Sequence, residues 1–490
     1  MLGHFLTYGV GQILGKLVGF LLLPLYTRVL TPQDYGVLSL LAAYSAVLFV
    51  LISVGLSTGI FRFYLDSDEP THRNAVLTAA LAIMGAMALP CAGLVLARNV
   101  SAELLTGSSQ WGGLVALVTV TTYLELLLKL PYCVMRARQE SFRYALANLA
   151  QTLLDIGLTF VFVVSLKMGP AGIVWAQFWA TLAIAAFLAR SVLRDYRVVW
   201  RDALLRGLLR FGIPLIPAGL STFALTLSDR YFLKAYASLN ELGLYSVGYR
   251  FGQTITFVAM AFQLVWSPFI FANQKQEDAG PLFARVATYY VVGLGLASLG
   301  LHVFARELTL LMTGPQFREA HTVIGIVALS QYFLALTNVA TAGVLIRQRT
   351  SLVAIIVTFA AAINVGLNFY CVPRWGMIGA AWTTLIAYAV QLVVTVVVSQ
   401  RVFSIPFEVR RILGFAALAA IVAAISVLPD TGRPWLDVVL KTTMFAVFPV
   451  AAVAGGWFDD RERRQLAGFG RTARAMLSAS TRSFWRRRSK

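Results

Sequence analysis

The sequence predicts an all-α integral membrane protein of about fourteen transmembrane helices, with twelve as the runner-up count. Two pseudo-symmetric six-helix lobes account for twelve of them, and two extra helices follow at the C-terminal side. Three observations lead there. Of 490 residues, 58% are hydrophobic and only 13% charged, and the mean hydropathy is +0.74. A soluble globular chain carries about 25% charged residues, so most of this one must lie in lipid. Apolar runs near the ~20 residues needed to cross a bilayer recur along the whole chain. The chain also repeats itself.

The repeat is anchored at a turn between apolar helices. LLPLYTRVLTPQDYGVLSL, residues 22–40, ends one helix at Arg28 and opens another after Thr31 and Pro32. Thr31 suits an N-cap, Pro32 the first helical position, and Asp34 puts negative charge in the first turn. In KAYASLNELGLYS, residues 234–246, Ser238, Glu241, Gly243 and Ser246 stand 207 positions after Thr31, Asp34, Gly36 and Ser39. Gly169, Gly172 and Trp175 recur at the same offset as Gly376, Gly379 and Trp382. Between these anchors the offset is 209, with Arg138–Gln139 matching Arg347–Gln348 and LDIGLTF (154–160) matching INVGLNF (363–369). Ordered matches at almost one offset mark a real internal duplication.

Taken in order, the expected spans are 5–27, 36–61, 75–97, 112–135, 144–166 and 171–190, then 211–233, 241–271, 284–304, 320–345, 352–372 and 377–399. Spans 412–428 and 438–458 lie outside the repeat, and the first of these is short and ends at Pro429. The corresponding domain division is 1–191 and 211–402 for the lobes, 192–210 for a basic linker, 403–458 for the extra pair and 459–490 for a basic tail. RSVLRDYRVVWRDALLRGLLR, residues 190–210, reads as an amphipathic helix lying in the inner membrane interface. The tail holds ten Lys or Arg against three acids, which suits a solvated topology determinant. A surface helix on anionic lipid or a docking site for partner enzymes is the other reading.

Charge sets the orientation. With the N-terminus in the cytoplasm, cytoplasmic segments hold 28 of the 41 Lys and Arg and outer segments nine. This is the bias of the positive-inside rule, and it places both termini in the cytoplasm. The net charge of +19 sits in short gaps between apolar runs and in the tail, which favours a membrane surface over nucleic acid. The N-terminal run lacks the basic start of a signal peptide and reads as a retained helix. Cys91, Cys133 and Cys371 are far apart and odd in number, and the four histidines form no ligand-spaced set, so neither a disulfide framework nor a metal site is expected. No cofactor is expected. No phosphate-cradling Gly-rich loop, nucleophile elbow or HExxH motif occurs, and no outer loop is long enough to hold an acceptor. An enzyme is therefore disfavoured.

Ionisable residues inside spans are costly and so informative. Lys16 lies midway along the first span. Glu125 and Lys129 lie one turn apart in the fourth, either as a self-neutralising pair or as functional groups. Asp155 is mid-span in the fifth with no local partner. Asp229 and Arg230 lie toward the outer end of the seventh, and Arg250 lies in the eighth. If the lobes face each other, Lys16, Arg28, Arg230 and Arg250 line a cationic cleft suited to a diphosphate. Pro24, Pro131, Pro214, Pro217 and Pro268 serve either as hinges of a moving structure or as static packing features.

The stretch LLLPLYTRVLTPQDYGVLSL, followed by SVGLSTGIFRFY, resembles the Wzx-type polysaccharide-export flippases of bacterial inner membranes. So does RFGIPLIPAGL, followed by LSDRYFLKAYASLNELGLYSVGYRF. Lipid II flippases and multidrug and toxin extruders share the superfamily. The resemblance reaches about Arg401. It implies a two-lobed, V-shaped transporter that moves an undecaprenyl-diphosphate-linked oligosaccharide, an O-antigen or exopolysaccharide repeat unit, to the outer leaflet by alternating access. It also implies charged cavity residues that meet diphosphate or glycan; Arg28, Asp229, Arg230 and Arg250 fall in the matching stretches, whereas Lys16, Glu125 and Asp155 rest on depth alone. Fourteen spans and a long tail depart from the common twelve-span pattern and leave open a subfamily nearer the lipid II flippases. A multidrug extruder and a membrane glycosyltransferase are further rivals. Expected partners are the lipid-linked substrate, membrane lipids and a polysaccharide polymerase or glycosyltransferases, with the chain a monomer and no nucleic acid involved. With no nucleotide-binding motif present, an ion gradient is the expected energy source. Asp155 is the first candidate for coupling, Glu125 the second and Asp229 the third.

Overall fold

A computed structural model of the chain describes residues 19–193, 196–274, 276, 279–347, 349–426 and 433–454. Among these residues every regular element is helical. Lys16 and the 459–490 tail lie outside the described residues. Ten helical stretches are long and apolar enough to cross a membrane. Large apolar side chains such as Leu89, Leu96, Phe187 and Ile355 are exposed on their outer faces, as lipid-facing residues would be.

In chain order the first half contains α1 (Leu23–Val29), α2 (Pro32–Ser53), α3 (Leu56–Leu65), α4 (Pro70–Leu96), α5 (Arg98–Thr106), α6 (Gly112–Ala137), α7 (Ser141–Thr159) and α8 (Pro170–Leu193). The second contains α9 (Asp202–Gly212), α10 (Leu215–Leu227), α11 (Asp229–Tyr236), α12 (Leu239–Gly252), α13 (Ile255–Asn273), α14 (Ala279–Val303), α15 (Ala305–Met312), α16 (His321–Ala340), α17 (Ala342–Ile346) and α18 (Thr350–Val402). Then come α19 (Val409–Ile425) and α20 (Pro434–Ala454).

The duplicated turn folds as its sequence dictates. Thr31 caps α2 in a full capping box, accepting from the Asp34 amide at 3.2 Å while the Asp34 carboxylate accepts from the Thr31 amide at 3.0 Å. Ser238 caps α12 by accepting from the Glu241 amide at 3.1 Å. The Glu241 carboxylate does something else: it accepts from the Met377 amide at 2.6 Å. That amide follows Gly376, whose φ of 50° breaks α18 into two arms. Its repeat mate Gly169 has φ 58°.

Several expected spans differ in detail. The stretch expected at 36–61 is broken between α2 and α3, where Val54 and Gly55 both take left-handed backbone. That at 241–271 is divided at Gln253 and Thr254 into α12 and α13. The linker is not one helix over 192–210. Residues 196–201 are non-helical and dock on α4, with the Tyr196 hydroxyl 2.9 Å from Thr78 Oγ1 and the Val199 amide donating to Thr78 at 3.2 Å. The amphipathic part is α9, whose Leu208 is buried while Arg206 and Arg210 are exposed. Lys441 lies in α20, within the span expected at 438–458. There the Lys441 ammonium donates to Glu307 at 2.6 Å and ties α20 to α15.

Six apolar clusters hold the helices among the described residues, and three of them are the largest. One gathers Leu48, Ile60, Met84 and Leu130 from the first half, and another gathers Ile255, Phe283, Leu294 and Tyr332 from the second. The third joins both halves: Tyr35, Leu40, Tyr245, Phe251, Phe317 and Val323 share it. At its centre α2 crosses α12. A Cβ on Gly243 would run into the Pro32 carbonyl oxygen, and one on Gly36 into that of Leu239. Pro32 and Leu239 are themselves 207 positions apart. The two contacts are therefore reciprocal, as a pseudo-twofold seam requires, and only glycine permits so close an approach. Ser39 and Ser246, another repeat pair, close the seam with a 2.8 Å hydrogen bond.

Candidate functional site

Next to that seam lies a cavity of about 920 Å³, lined by residues of α2, α6, α7, α8, α11 and α12 together with Gly19, Leu22 and Tyr26. Its end nearest Thr31 and Ser238 is sealed. Besides the glycine crossing, the Gln316 amide donates to the Leu30 carbonyl at 2.7 Å and the Gly314 amide to Thr27 Oγ1 at 3.3 Å. The Tyr35 and Phe317 rings meet edge to face at 5.7 Å.

Of the residues the sequence singled out, Glu125, Asp155, Arg230 and Arg250 line this one cavity. Asp229 stands behind Arg230, buried. Arg28 does not line it; its side chain is exposed at the sealed end, at the last turn of α1. With Lys16 outside the described residues, the expected cleft of four cations is, among described residues, a cavity with two guanidiniums and two carboxylates.

The two arginines differ. Arg230 is 7% exposed and charge-compensated: it pairs with Asp229 at 2.8 Å, donates to the Thr226 carbonyl at 3.1 Å and lies 4.8 Å from the Tyr249 ring centre. The Tyr245 hydroxyl donates to the other Asp229 oxygen, and the Gln331 amide donates to the Tyr249 hydroxyl at 3.0 Å. Arg250 is exposed to the cavity, with its guanidinium carbon 5.4 Å from the Tyr35 ring centre. Among the described residues no carboxylate lies within 4 Å of it. A fork of donors on an open cavity wall without an anionic partner is a site for phosphate or carboxylate oxygens.

Among the described residues neither carboxylate forms an ion pair. Glu125 accepts from the Gln177 amide at 3.3 Å and forms no ion pair with Lys129, whose ammonium lies 5.2 Å from the Phe49 ring centre. Asp155 Oδ1 is buried with no hydrogen-bond partner among the described residues. Among the described residues Asp155 forms no ion pair with Lys129.

Sequence reasoning that looked only for charge missed the cavity's neutral polar residues. Asn148, Gln151, Thr152 and Asp155 all line it from α7. Their spacing of three, four and seven traces one helix face, and that stripe is visible in an otherwise apolar span. Gln177 and Thr181 add one turn of α8.

A family model described as "Polysaccharide biosynthesis protein" matches residues 2–274. The succinoglycan biosynthesis transport protein ExoT of Rhizobium meliloti is 24% identical over 325 residues, 64% of this chain and 63% of that protein. The chain spans 63–66% of the length of the curated relatives it matches. Among solved structures, the lipid II flippase MurJ in an inward closed conformation superposes with a TM-score of 0.73 at 13% identity, over 91% of this chain and 98% of that one. A multidrug resistance MATE transporter in its inward-facing conformation gives 0.62 at 16% identity, over 81% and 94%. At these identities the likeness concerns the fold.

Proposed function

The chain belongs to the polysaccharide biosynthesis protein family, and from that premise we propose that it carries an undecaprenyl-diphosphate-linked oligosaccharide, an O-antigen or exopolysaccharide repeat unit, across the bacterial inner membrane. Family and fold together point to a transporter rather than a catalyst. The observation that carries the substrate reading is Arg250: an uncompensated guanidinium on the wall of a cavity that is closed at one end. With the N-terminus in the cytoplasm, as the charge bias suggests, the sealed end is the outer one, which fits an inward-facing state of an alternating-access cycle. The chain acts as a monomer beside the polymerase or glycosyltransferases that consume or supply its substrate.

Deleting the gene is expected to leave lipid-linked repeat units in the inner leaflet. Arg250→Ala should do the same at normal protein level, because it removes an anion contact and no packing. Arg250→Lys should restore export in part, since a point charge replaces the planar fork. Unchanged surface glycan with Arg250→Ala at native expression overturns the substrate contact.

The fold likeness to the lipid II flippase favours one second reading, that the cargo is lipid II. Arrested cell-wall synthesis on deletion, with surface glycan unaffected, would establish it.

We propose that Asp155 couples transport to an ion gradient; it is a carboxylate on the cavity wall whose Oδ1 has no hydrogen-bond partner among the described residues. A group charged in one state and neutral in the other lets the gradient bias the cycle; one charge crossing 100 mV is worth about 2.3 kcal/mol. Asp155→Asn is expected to bind substrate yet transport in proteoliposomes without response to an imposed proton or sodium gradient. Retained gradient dependence in the folded variant assigns coupling elsewhere.

A further inference from the structure

Among the described residues the charges lining the cavity are sorted by half. Both carboxylates, Glu125 and Asp155, come from the first half, and both guanidiniums, Arg230 and Arg250, from the second. The amide side chains are concentrated on the same side as the carboxylates: Asn148, Gln151 and Gln177, with Thr152 and Thr181 beside them, belong to α7 and α8, against Gln253 alone from the second half among the described residues. We propose that this α6–α7–α8 wall is a sugar-binding face that reads the hydroxyls of the glycan, while Arg250 opposite takes the diphosphate. The assignment rests on the transporter reading above and adds an orientation and a specificity site to it.

The chemistry of the wall fits a sugar. A sugar hydroxyl both donates and accepts. Asn and Gln offer two donors and a carbonyl, and a carboxylate accepts at both oxygens. Several of these groups are held in place from behind. The Tyr132 hydroxyl donates to Gln151 Oε1 at 3.0 Å, the Gln151 amide points to Thr181 Oγ1 at 3.5 Å, and the Gln177 amide donates to Glu125 at 3.3 Å. The fixing bonds leave capacity toward the cavity: among described residues no hydrogen bond uses the Gln177 carbonyl oxygen, and Asp155 Oδ1 has no partner. Polar groups within a membrane span that stay unpaired are expensive, so a wall of them calls for a polar occupant. The occupant is not the diphosphate, because two carboxylates on the same wall repel it.

The duplication shows that the fold does not need these groups. At the repeat offset of 209, Asn148, Gln151 and Thr152 correspond to Val357, Ala360 and Ala361. Those three pack with Leu225 and Ala387 in an apolar cluster. Conversely, Arg230, Arg250 and Gln253 correspond at offset 207 to Leu23, Ala43 and Ala46. At these six positions each half carries polar side chains where its twin has aliphatic ones, whereas Asp155, Gln177 and Thr181 have the polar mates Asn364, Thr384 and Tyr388. The division of labour is built on the scaffold and is no requirement of it.

The test copies each repeat mate into the wall. Asn148→Val and Gln177→Thr, the latter after Thr384, are combined and compared with Thr152→Ala and Arg250→Ala. Binding is measured on monodisperse protein in lipid nanodiscs with two probes: undecaprenyl diphosphate, and the lipid-diphosphate-linked oligosaccharide fraction extracted from the producing cells. The expected result is a loss of about tenfold or more for the oligosaccharide probe in the double variant, a smaller loss in Thr152→Ala, and undecaprenyl diphosphate affinity within about twofold of wild type. Arg250→Ala should weaken both probes. Equal weakening of both probes by the wall variants, or no change with either, overturns the sugar face while leaving the transporter reading intact. Failure of the wild-type protein to bind either probe overturns the transporter reading and the sugar face with it.

Discussion

Oxidising a Ser39→Cys, Ser246→Cys pair is expected to stop transport completely, and reduction to restore it. The two hydroxyls already lie 2.8 Å apart across the α2–α12 seam. A disulfide needs an S–S distance near 2.05 Å and closely spaced backbones, and the glycine crossing at Gly36 and Gly243 supplies the second condition. The native Cys91, Cys133 and Cys371 are buried and unpaired; replacing them with serine first keeps the engineered bond unambiguous. An alternating-access protein must part this seam to release cargo on that side, so a covalent staple arrests it after at most one half-cycle. Each single cysteine variant should transport normally. Full transport by protein shown to be quantitatively cross-linked would mean that the seam is static and that cargo leaves by another route.

Asp229→Ala carries the largest expected stability loss. Asp229 is 2% exposed and Arg230 7%, so removing the acid strands a buried guanidinium. Breaking such a pair typically costs about 3–5 kcal/mol. Thermal unfolding in detergent should show a large drop for Asp229→Ala, a smaller one for Asp229→Asn, and recovery in the double variant Asp229→Leu, Arg230→Met, because replacing both partners by apolar groups is often neutral. A coupling role for Asp229 makes the opposite forecast: a stable Asp229→Asn protein that has lost gradient dependence. The hydrogen bond from Tyr245 and the ion pair to Arg230 leave both Asp229 oxygens occupied, which favours the fixed pair.

Much of this was readable from the chain alone. Thr31, Asp34, Ser238 and Glu241 announce helix starts through local chemistry, and local chemistry survives folding. The repeat made Ser39 and Ser246 equivalent, but that they touch follows from an axis running between them, which no offset reveals. Depth within a span located Asp155, Glu125 and Arg250 on the cavity. It could not separate Arg230 from Arg250, since compensation depends on Tyr245, Tyr249 and Gln331 arriving from other helices. Arg28 was drawn to the cleft by its neighbourhood in sequence, yet the last turn of α1 carries its side chain to the exposed, sealed end. The amides of α7 carry no charge and were passed over, although their spacing was plain.

One methylene separates Asp34 from Glu241, and it makes the duplicated halves mechanically unequal. The shorter Asp34 spends its carboxylate on the cap of its own helix. The longer Glu241 reaches past its cap and grips the first amide beyond the break in α18. A Cβ on Gly376 would strike that carboxylate, whereas one on Gly169 would meet nothing within 4 Å. The second half thus has a pinned joint: any swing of α12 drags the far arm of α18 with it as one lever. The first half has an unpinned joint at the same place, between α7 and α8. A load applied at the seam is thus expected to pass from α12 into the far arm of α18 on one side and to be taken up by bending between α7 and α8 on the other.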